Sequence, residues 1–214
     1  MGSRALFEFD RELGVDLVAG ADEVGRGSLA GPLVAAAVLF DYSQPGAERF
    51  SGLAELNDSK AHTFASREAL YTPIIKAARC AAIAVCSVAA IDADGLHVSN
   101  LAALREALMA VATDDCICLV DGYAVPEFGC VQRTVIGGDR TSAAVAAASV
   151  IAKVSRDRFM RRADALYPGW DFAANVGYST EPHRAAIAAR GICELHRRSF
   201  NSVAYQQLKL GQST

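Results

Sequence analysis

Apolar residues along the chain fall into runs whose spacing predicts strands alternating with helices. Leu17 to Asp22 reads as a strand that enters the glycine-rich turn Gly25-Arg26-Gly27, and Leu33 to Asp41 is a second apolar run of strand type. Pro45 and Gly46 mark a loop. Ser66 to Ala78 has helical spacing with Ser66 as its cap, and Ala82 to Ala89 has a strand's length and β-branched content. Val98 to Ala112 is the next helix, and Cys116 to Asp121 is a short buried strand that ends at Gly122. Thr141 to Ala165 is the strongest helical pattern, with Thr141 or Ser142 to cap it and Tyr167-Pro168-Gly169 to end it. Helical spacing returns in His183 to Arg190. The alternation of the two element types predicts an α/β fold.

Length and composition fit that picture. A chain of 214 residues, 52% hydrophobic and 21% charged, can bury a core and suits one α/β domain with a small appendage. The longest apolar runs, Ala30 to Phe40 and Ala143 to Ala152, are shorter than the roughly 18 residues a membrane helix needs. Arg4, Glu8, Asp10 and Arg11 interrupt the stretch where a signal peptide would keep its apolar run. The expectation is a cytoplasmic protein with no membrane partner. Six cysteines without a C-x-x-C pair read as buried reduced thiols, and Cys116 and Cys118 share one face of a strand.

A net charge of −3 suggests no polyanion partner until it is divided. Residues 1–152 hold 11 basic and 19 acidic side chains, a balance of −8; residues 153–214 hold 10 and 5, a balance of +5. An acidic body carries a basic end.

Asp22, Glu23, Asp121 and Asp139 each lie at the end of an apolar segment or beside glycine, where a turn exposes them. Converging there, they form an all-oxygen cluster that repels itself unless hard divalent cations neutralise it. Any one of them alone is equally an ordinary turn former. Asp22 and Glu23 are adjacent, so both face one site only if the strand ends there. Gly25-x-Gly27-x-x-x-Gly31 is a weak nucleotide fingerprint: its third glycine comes one position late, and Pro32 follows where a phosphate-binding helix belongs. Along the Thr141 helix, Ser142, Ala146, Ser149, Lys153 and then Arg156 or Asp157 form a stripe of small and polar residues. It is either a solvated face or a path by which a phosphate backbone approaches.

Gly20-Ala21-Asp22-Glu23-Val24-Gly25-Arg26-Gly27 with Ala30-Gly31-Pro32, then Asn57-Asp58-Ser59-Lys60, Asp121-Gly122, Gly138-Asp139, Ala146 to Lys153 with Arg156-Asp157, Gly177-Tyr178 with Thr180 and His183, and His196-Arg197 with Ser199-Phe200 form an ordered set. This set, spanning residues 20 to 200, resembles the type 2 ribonuclease H family, bacterial ribonuclease HII. The resemblance implies a ribonuclease H-like mixed central sheet flanked by helices over residues 1–165, and a C-terminal helical substrate-binding extension over 166–214. It implies a monomeric endonuclease that cuts the RNA strand of RNA–DNA hybrids and cuts duplex DNA at single embedded ribonucleotides, leaving 3′-hydroxyl and 5′-phosphate ends. By motif position, two Mg²⁺ or Mn²⁺ ions fall to Asp22, Glu23, Asp121 and Asp139, with Asp22 shared between them. The element that senses the 2′-hydroxyl falls on Gly25, Arg26 and Gly27, and the substrate-sensing tyrosine on Tyr178.

Lys60 and Lys153 are the first candidates for phosphate contacts, followed by Arg156, His183, Arg184, Arg197 and Arg198. Each is equally a surface charge, and His183 and His196 read as structural histidines more than as ligands or general bases. Two departures from the family pattern bear on duplex binding: Ser179 replaces the second glycine of G-Y-G-T after Val176, and Ala61-His62 replace basic residues. Three other readings are a hybrid-binding module without turnover, a nucleotide-binding α/β protein, and ribonuclease HIII, for which the segment before Asp22 is short.

Overall fold

The computed structural model describes residues 3–43, 47–57, 62–200 and 205. Its centre is a five-stranded mixed sheet in the order β3-β2-β1-β4-β5, with β1 Leu17–Val24, β2 Leu33–Asp41, β3 Cys80–Cys86, β4 Cys116–Asp121 and β5 Gln132–Val135. β1, β2 and β3 pair antiparallel, whereas β1–β4 and β4–β5 pair parallel. The first eight residues of β2 are buried, as an uninterrupted apolar run requires when helices cover both faces. This arrangement bears out the predicted fold class.

Strand alternation sorts the core into two layers. Val18, Val34, Ala36 and Val38 face α1 (Ser3–Glu12), α2 (Phe64–Ala77) and α5 (Ala143–Leu166). Leu17, Ala19, Ala21, Leu33 and Ala35 face α4 (Leu96–Met109) and, through Ile91, α3 (Val88–Asp94). Two short helices, α6 (Phe172–Asn175) and α7 (Glu181–Arg190), follow α5.

α5 is sunk into the molecule. Every residue from Ala143 to Ala152 is buried, so the small-residue stripe is not a solvated face. Its N-terminus is fixed twice: Ser142 Oγ accepts from Val145 N–H, and the buried carboxylate of Asp10 on α1 accepts from Ala144 N–H at 3.0 Å. Close approach to the sheet depends on Gly20, where a Cβ would sit 2.2 Å from the backbone of Ala144 and Val145.

Several boundaries differ from expectation for local reasons. α2 starts two residues early because Thr63, not Ser66, caps it. β3 ends at Cys86 because Ser87 caps α3, which takes the residues the sequence pattern gave to a longer strand. β1 continues past Asp22 to Val24.

Candidate active site

Asp22, Glu23 and Asp121 border one cleft of about 290 Å³ together with Gly25, Gly27, Ser149, Lys153 and Tyr178. The cleft opens where two parallel strands part. β1 stays paired with β2 as far as Val24, but its pairing with β4 stops at Ala21. The adjacent carboxylates therefore need no strand end to share a site. Asp22 has the parity of Val18 and lies on the α5 side, where Ser149 hydrogen-bonds it; Glu23 lies on the α4 side, where Asn100 does the same. Both border the space beyond the last β1–β4 pair.

Asp121 ends β4, and its Oδ1 accepts from Gly138 N–H at 3.0 Å. This bond draws the short turn Gly138–Arg140 against the strand end. Asp139 lies in that turn, buried, with Arg140 Nε 4.0 Å from its Oδ1, and does not line the cleft. Among the described residues, no three His, Cys, Asp or Glu side chains are gathered tightly enough to hold a metal as they stand.

The electrostatics are those of crowded acids. Burial, then the charges of Glu23 and Asp121, push the Asp22 carboxyl up to about 7. Burial raises Glu23 as well, against the Arg26 guanidinium 3.3 Å from its Oε1. Glu23 Oε2 is buried without a hydrogen-bond partner. An acceptor-only atom left unpaired beside two other carboxylates is what a cation would satisfy, so the oxygen donor set fits Mg²⁺ or Mn²⁺.

The basic residues divide. Lys153 lines the cleft, its ammonium 2.7 Å from the buried Asp157 and 5.5 Å from the Tyr178 ring. Arg67 on α2 also lines it, a residue that sequence reasoning missed because one arginine in an amphipathic helix reads as surface. Asn100 was missed too; its one signal is a Ser-Asn pair inside an Ala- and Leu-rich helix. Lys60 falls outside the described residues.

Arg156 and Arg197 are corrected: both are fully buried and bind carbonyl groups, not phosphate. Arg156 donates to Pro32, Ala30 and Val176 carbonyls and to Ser28 Oγ, all within 2.9 Å. Arg197 donates to the carbonyls of Gly31 and Arg26. Together they brace the loop that carries Gly25-Arg26-Gly27. His183 is buried as well, whereas Arg184 and Arg198 are exposed.

That loop runs into β2, not into a helix, so it offers no helix N-terminus for a dinucleotide phosphate. Its glycines differ. Gly25 has φ +93°, and a Cβ there would meet Arg156 Nε at 2.3 Å; at Gly27 a Cβ would meet nothing within 4 Å. Gly25 makes room for the brace, and Gly27 leaves room in the cleft.

A family model for ribonuclease HII matches residues 19–203. The chain belongs to the ribonuclease HII family. It is 46% identical over 202 residues to the ribonuclease HII of Salinispora arenicola, covering 93% of this chain and 73% of that protein. Ribonuclease H2 of Pyrococcus horikoshii has the same fold, with a TM-score of 0.76 at 23% identity over 92% of this chain and 100% of the other. So does Bst-RNase HIII, solved in complex with Mn²⁺, with a TM-score of 0.67 at 19% identity over 96% of this chain and 73% of the other. The chain is a hydrolase of the ribonuclease H type 2 class.

Proposed function

We propose that this ribonuclease cuts the RNA strand of RNA–DNA hybrids and cuts duplex DNA at single embedded ribonucleotides, leaving 3′-hydroxyl and 5′-phosphate ends. The observation that carries the proposal is a group of three carboxylates, Asp22 buried and Glu23 and Asp121 half-buried, one with an unpartnered oxygen, bordering the same cleft as Gly27 and Tyr178. Asp22, Glu23 and Asp121, with Asp139 behind Asp121, are the residues that would hold divalent ions. The Mn²⁺ in Bst-RNase HIII supports that reading. Such ions, when bound, supply Lewis-acid activation of water and neutralise charge on the phosphate and leaving oxygen.

The protein's own groups bind and orient the substrate. Ser149 and Asn100 hold Asp22 and Glu23 from opposite faces of β1. Lys153, kept in place by Asp157, and Arg67 present positive charge to the phosphate backbone. Gly27 lets main-chain atoms approach the ribose, where distinguishing RNA from DNA requires contact with the 2′-hydroxyl. Gly25 and Arg26 shape that loop, and Tyr178 offers a hydroxyl to the 2′-hydroxyl and a ring to the neighbouring sugar. Lys60 is assigned to phosphate contact on the family motif alone. Residues 166–214 act as the substrate-binding extension, and the enzyme works as a cytoplasmic monomer.

The deciding assay is cleavage of a DNA duplex containing one ribonucleotide, with Mg²⁺ or Mn²⁺, by wild type and Asp22→Asn. Wild type should cut on the 5′ side of the ribonucleotide and the variant should lose at least about a hundredfold in rate. Near-normal cleavage by Asp22→Asn would refute the assignment. Binding of the duplex by wild type without cleavage would favour a hybrid-binding module.

A further inference from the structure

Beside Tyr178, and not among the residues that line the cleft, two imidazoles touch. His183, in the first turn of α7, and His196, in the segment 193–197 that follows α7, are each exposed by 1% or less. Their Nε2 atoms are 3.2 Å apart. The rings of Phe172 and Trp170 enclose them.

The outer partners fix which nitrogen carries each proton. His183 Nδ1 lies 2.8 Å from the carbonyl oxygen of Tyr178, which can only accept, so Nδ1 of His183 is protonated. Cys193 N–H donates to His196 Nδ1 at 3.0 Å, and the Cys193 Sγ lies 3.2 Å from the same atom, so Nδ1 of His196 is an acceptor. His196 therefore carries its proton on Nε2 and donates it to Nε2 of His183. The result is a one-way chain from Cys193 N–H through His196 and His183 to the Tyr178 carbonyl, with both rings neutral. Burial lowers the pKa of both rings, His196 to about 4, which keeps them neutral at neutral pH. A second proton on either ring would set two donors face to face.

The segment that supplies His196 also holds the glycine loop. Gly31 N–H donates to Leu195 O, Arg197 N–H donates to Leu29 O, and the Arg197 guanidinium binds the Gly31 and Arg26 carbonyls. One strap thus grips the Gly25–Gly27 loop directly and Tyr178 through the imidazole pair. We propose that His183 and His196 are positioning residues for Tyr178, their one-way hydrogen-bond chain setting its distance from the glycine loop across the cleft. The proposal rests on the ribose-sensing assignment of Tyr178, and the experiment separates the two.

His196→Phe keeps the ring's bulk and removes the donor to His183; His196→Gln returns an N–H near the position of Nε2. Both are compared with wild type and Tyr178→Ala by thermal melting and by kcat and KM on the single-ribonucleotide duplex. Imidazole ¹⁵N spectra of wild type at pH 7 should give protonated Nδ1 for His183 and protonated Nε2 for His196. A folded His196→Phe should lose about tenfold in kcat with KM changed less than about twofold, since small misplacement acts on the reacting geometry. His196→Gln should recover most of that loss. If His196→Phe does not fold, His183→Asn, which keeps a donor to Tyr178 and drops the acceptor for His196, should show the same kcat loss. Reversed tautomers overturn the proposal. So does wild-type kcat in the folded variant while Tyr178→Ala is impaired, which leaves Tyr178's sensing role intact. Unimpaired Tyr178→Ala removes the sensing role and the positioning role with it.

Discussion

Arg67 shows how a single side chain changes meaning with its surroundings. It lines the same cleft as the carboxylates from α2, and its charge helps to lower the Lys153 pKa, after burial and Arg156 and against the Asp157 carboxylate. Asp157 balances the Lys153 charge only in part, and a phosphodiester in the cleft would add a second anion facing both cations. Arg67→Ala should therefore weaken duplex binding about fivefold to tenfold while leaving the chemistry of the bound substrate almost unchanged. It should also flatten the dependence of affinity on salt by about one phosphate contact. Titration of a labelled duplex at several salt concentrations checks both effects; an unchanged salt slope with lower kcat would instead place Arg67 at the reacting phosphate. The same logic separates Lys153 from Arg156, three residues further along α5. Lys153 is partly exposed to the cleft, whereas all the N–H groups Arg156 uses are spent on main-chain carbonyls and Ser28. Sequence marks both as cations, but only the fold encloses one of them.

At the scale of elements, the contact between β1 and α5 fixes the site, because β1 carries Asp22 and Glu23 while α5 carries Ser149 and Lys153. Gly20 is the point of closest approach, and any Cβ there would overlap the α5 backbone at 2.2 Å. No rotamer change relieves a clash between a Cβ and main chain, so the helix must move. Gly20→Ala should cost about 3 kcal/mol or more in urea unfolding and should lower cleavage further than that loss of folded protein explains. An alanine variant with wild-type stability would mean that α5 shifts freely over the sheet. Elements with long apolar runs were legible in the sequence: β2 and β4 as strands, and α5 as a long helix. Others were not. α1 buries only Leu6, Phe7 and Asp10, so its charged residues mask it. β5 is a half-exposed edge strand, Gln132–Val135, with no alternation to read. α3 is one short helix whose Ser87 cap was absorbed into a strand. The four carboxylates could be named from sequence through the ordered motif set, since alone each reads as a turn former. Their supports could not, because Asn100 reaches Glu23 and Ser149 reaches Asp22 from helices about 80 and 130 residues away in the chain.

For the whole molecule, the division into an acidic body and a basic end is partly internal. Arg156 and Arg197, two of the ten basic side chains in residues 153–214, are enclosed, and Asp10 and Asp22 of the acidic part are buried. Buried titratable groups make stability depend on pH, and here they act in opposite directions. Burial pushes the Asp10 carboxyl from 3.8 up to about 6, against hydrogen bonds from Ser142, Tyr42 and Ala144. The native state then keeps a proton that the unfolded chain has released, so Asp10's stabilising contribution is complete below about pH 4 and is lost as pH rises through 6. His196, pushed down to about 4, does the reverse: its contribution is present above about pH 6.5 and is lost as pH falls toward 4. In the wild-type curve His196 opposes Asp10, whereas Asp22, raised to about 7, acts in the same direction as Asp10; the difference from a variant isolates one group. Asn at position 10 keeps an oxygen to accept from Tyr42 or Ala144 but cannot titrate. Wild type should therefore lose up to about 3 kcal/mol of stability relative to Asp10→Asn between pH 4 and pH 7, the linkage value of a carboxyl raised from 3.8 to about 6. Urea unfolding of both proteins across that range, without added metal, measures it. Parallel curves would mean that Asp10 is already ionised where it sits, held by the α5 N-terminus and the Tyr42 hydroxyl in spite of its burial.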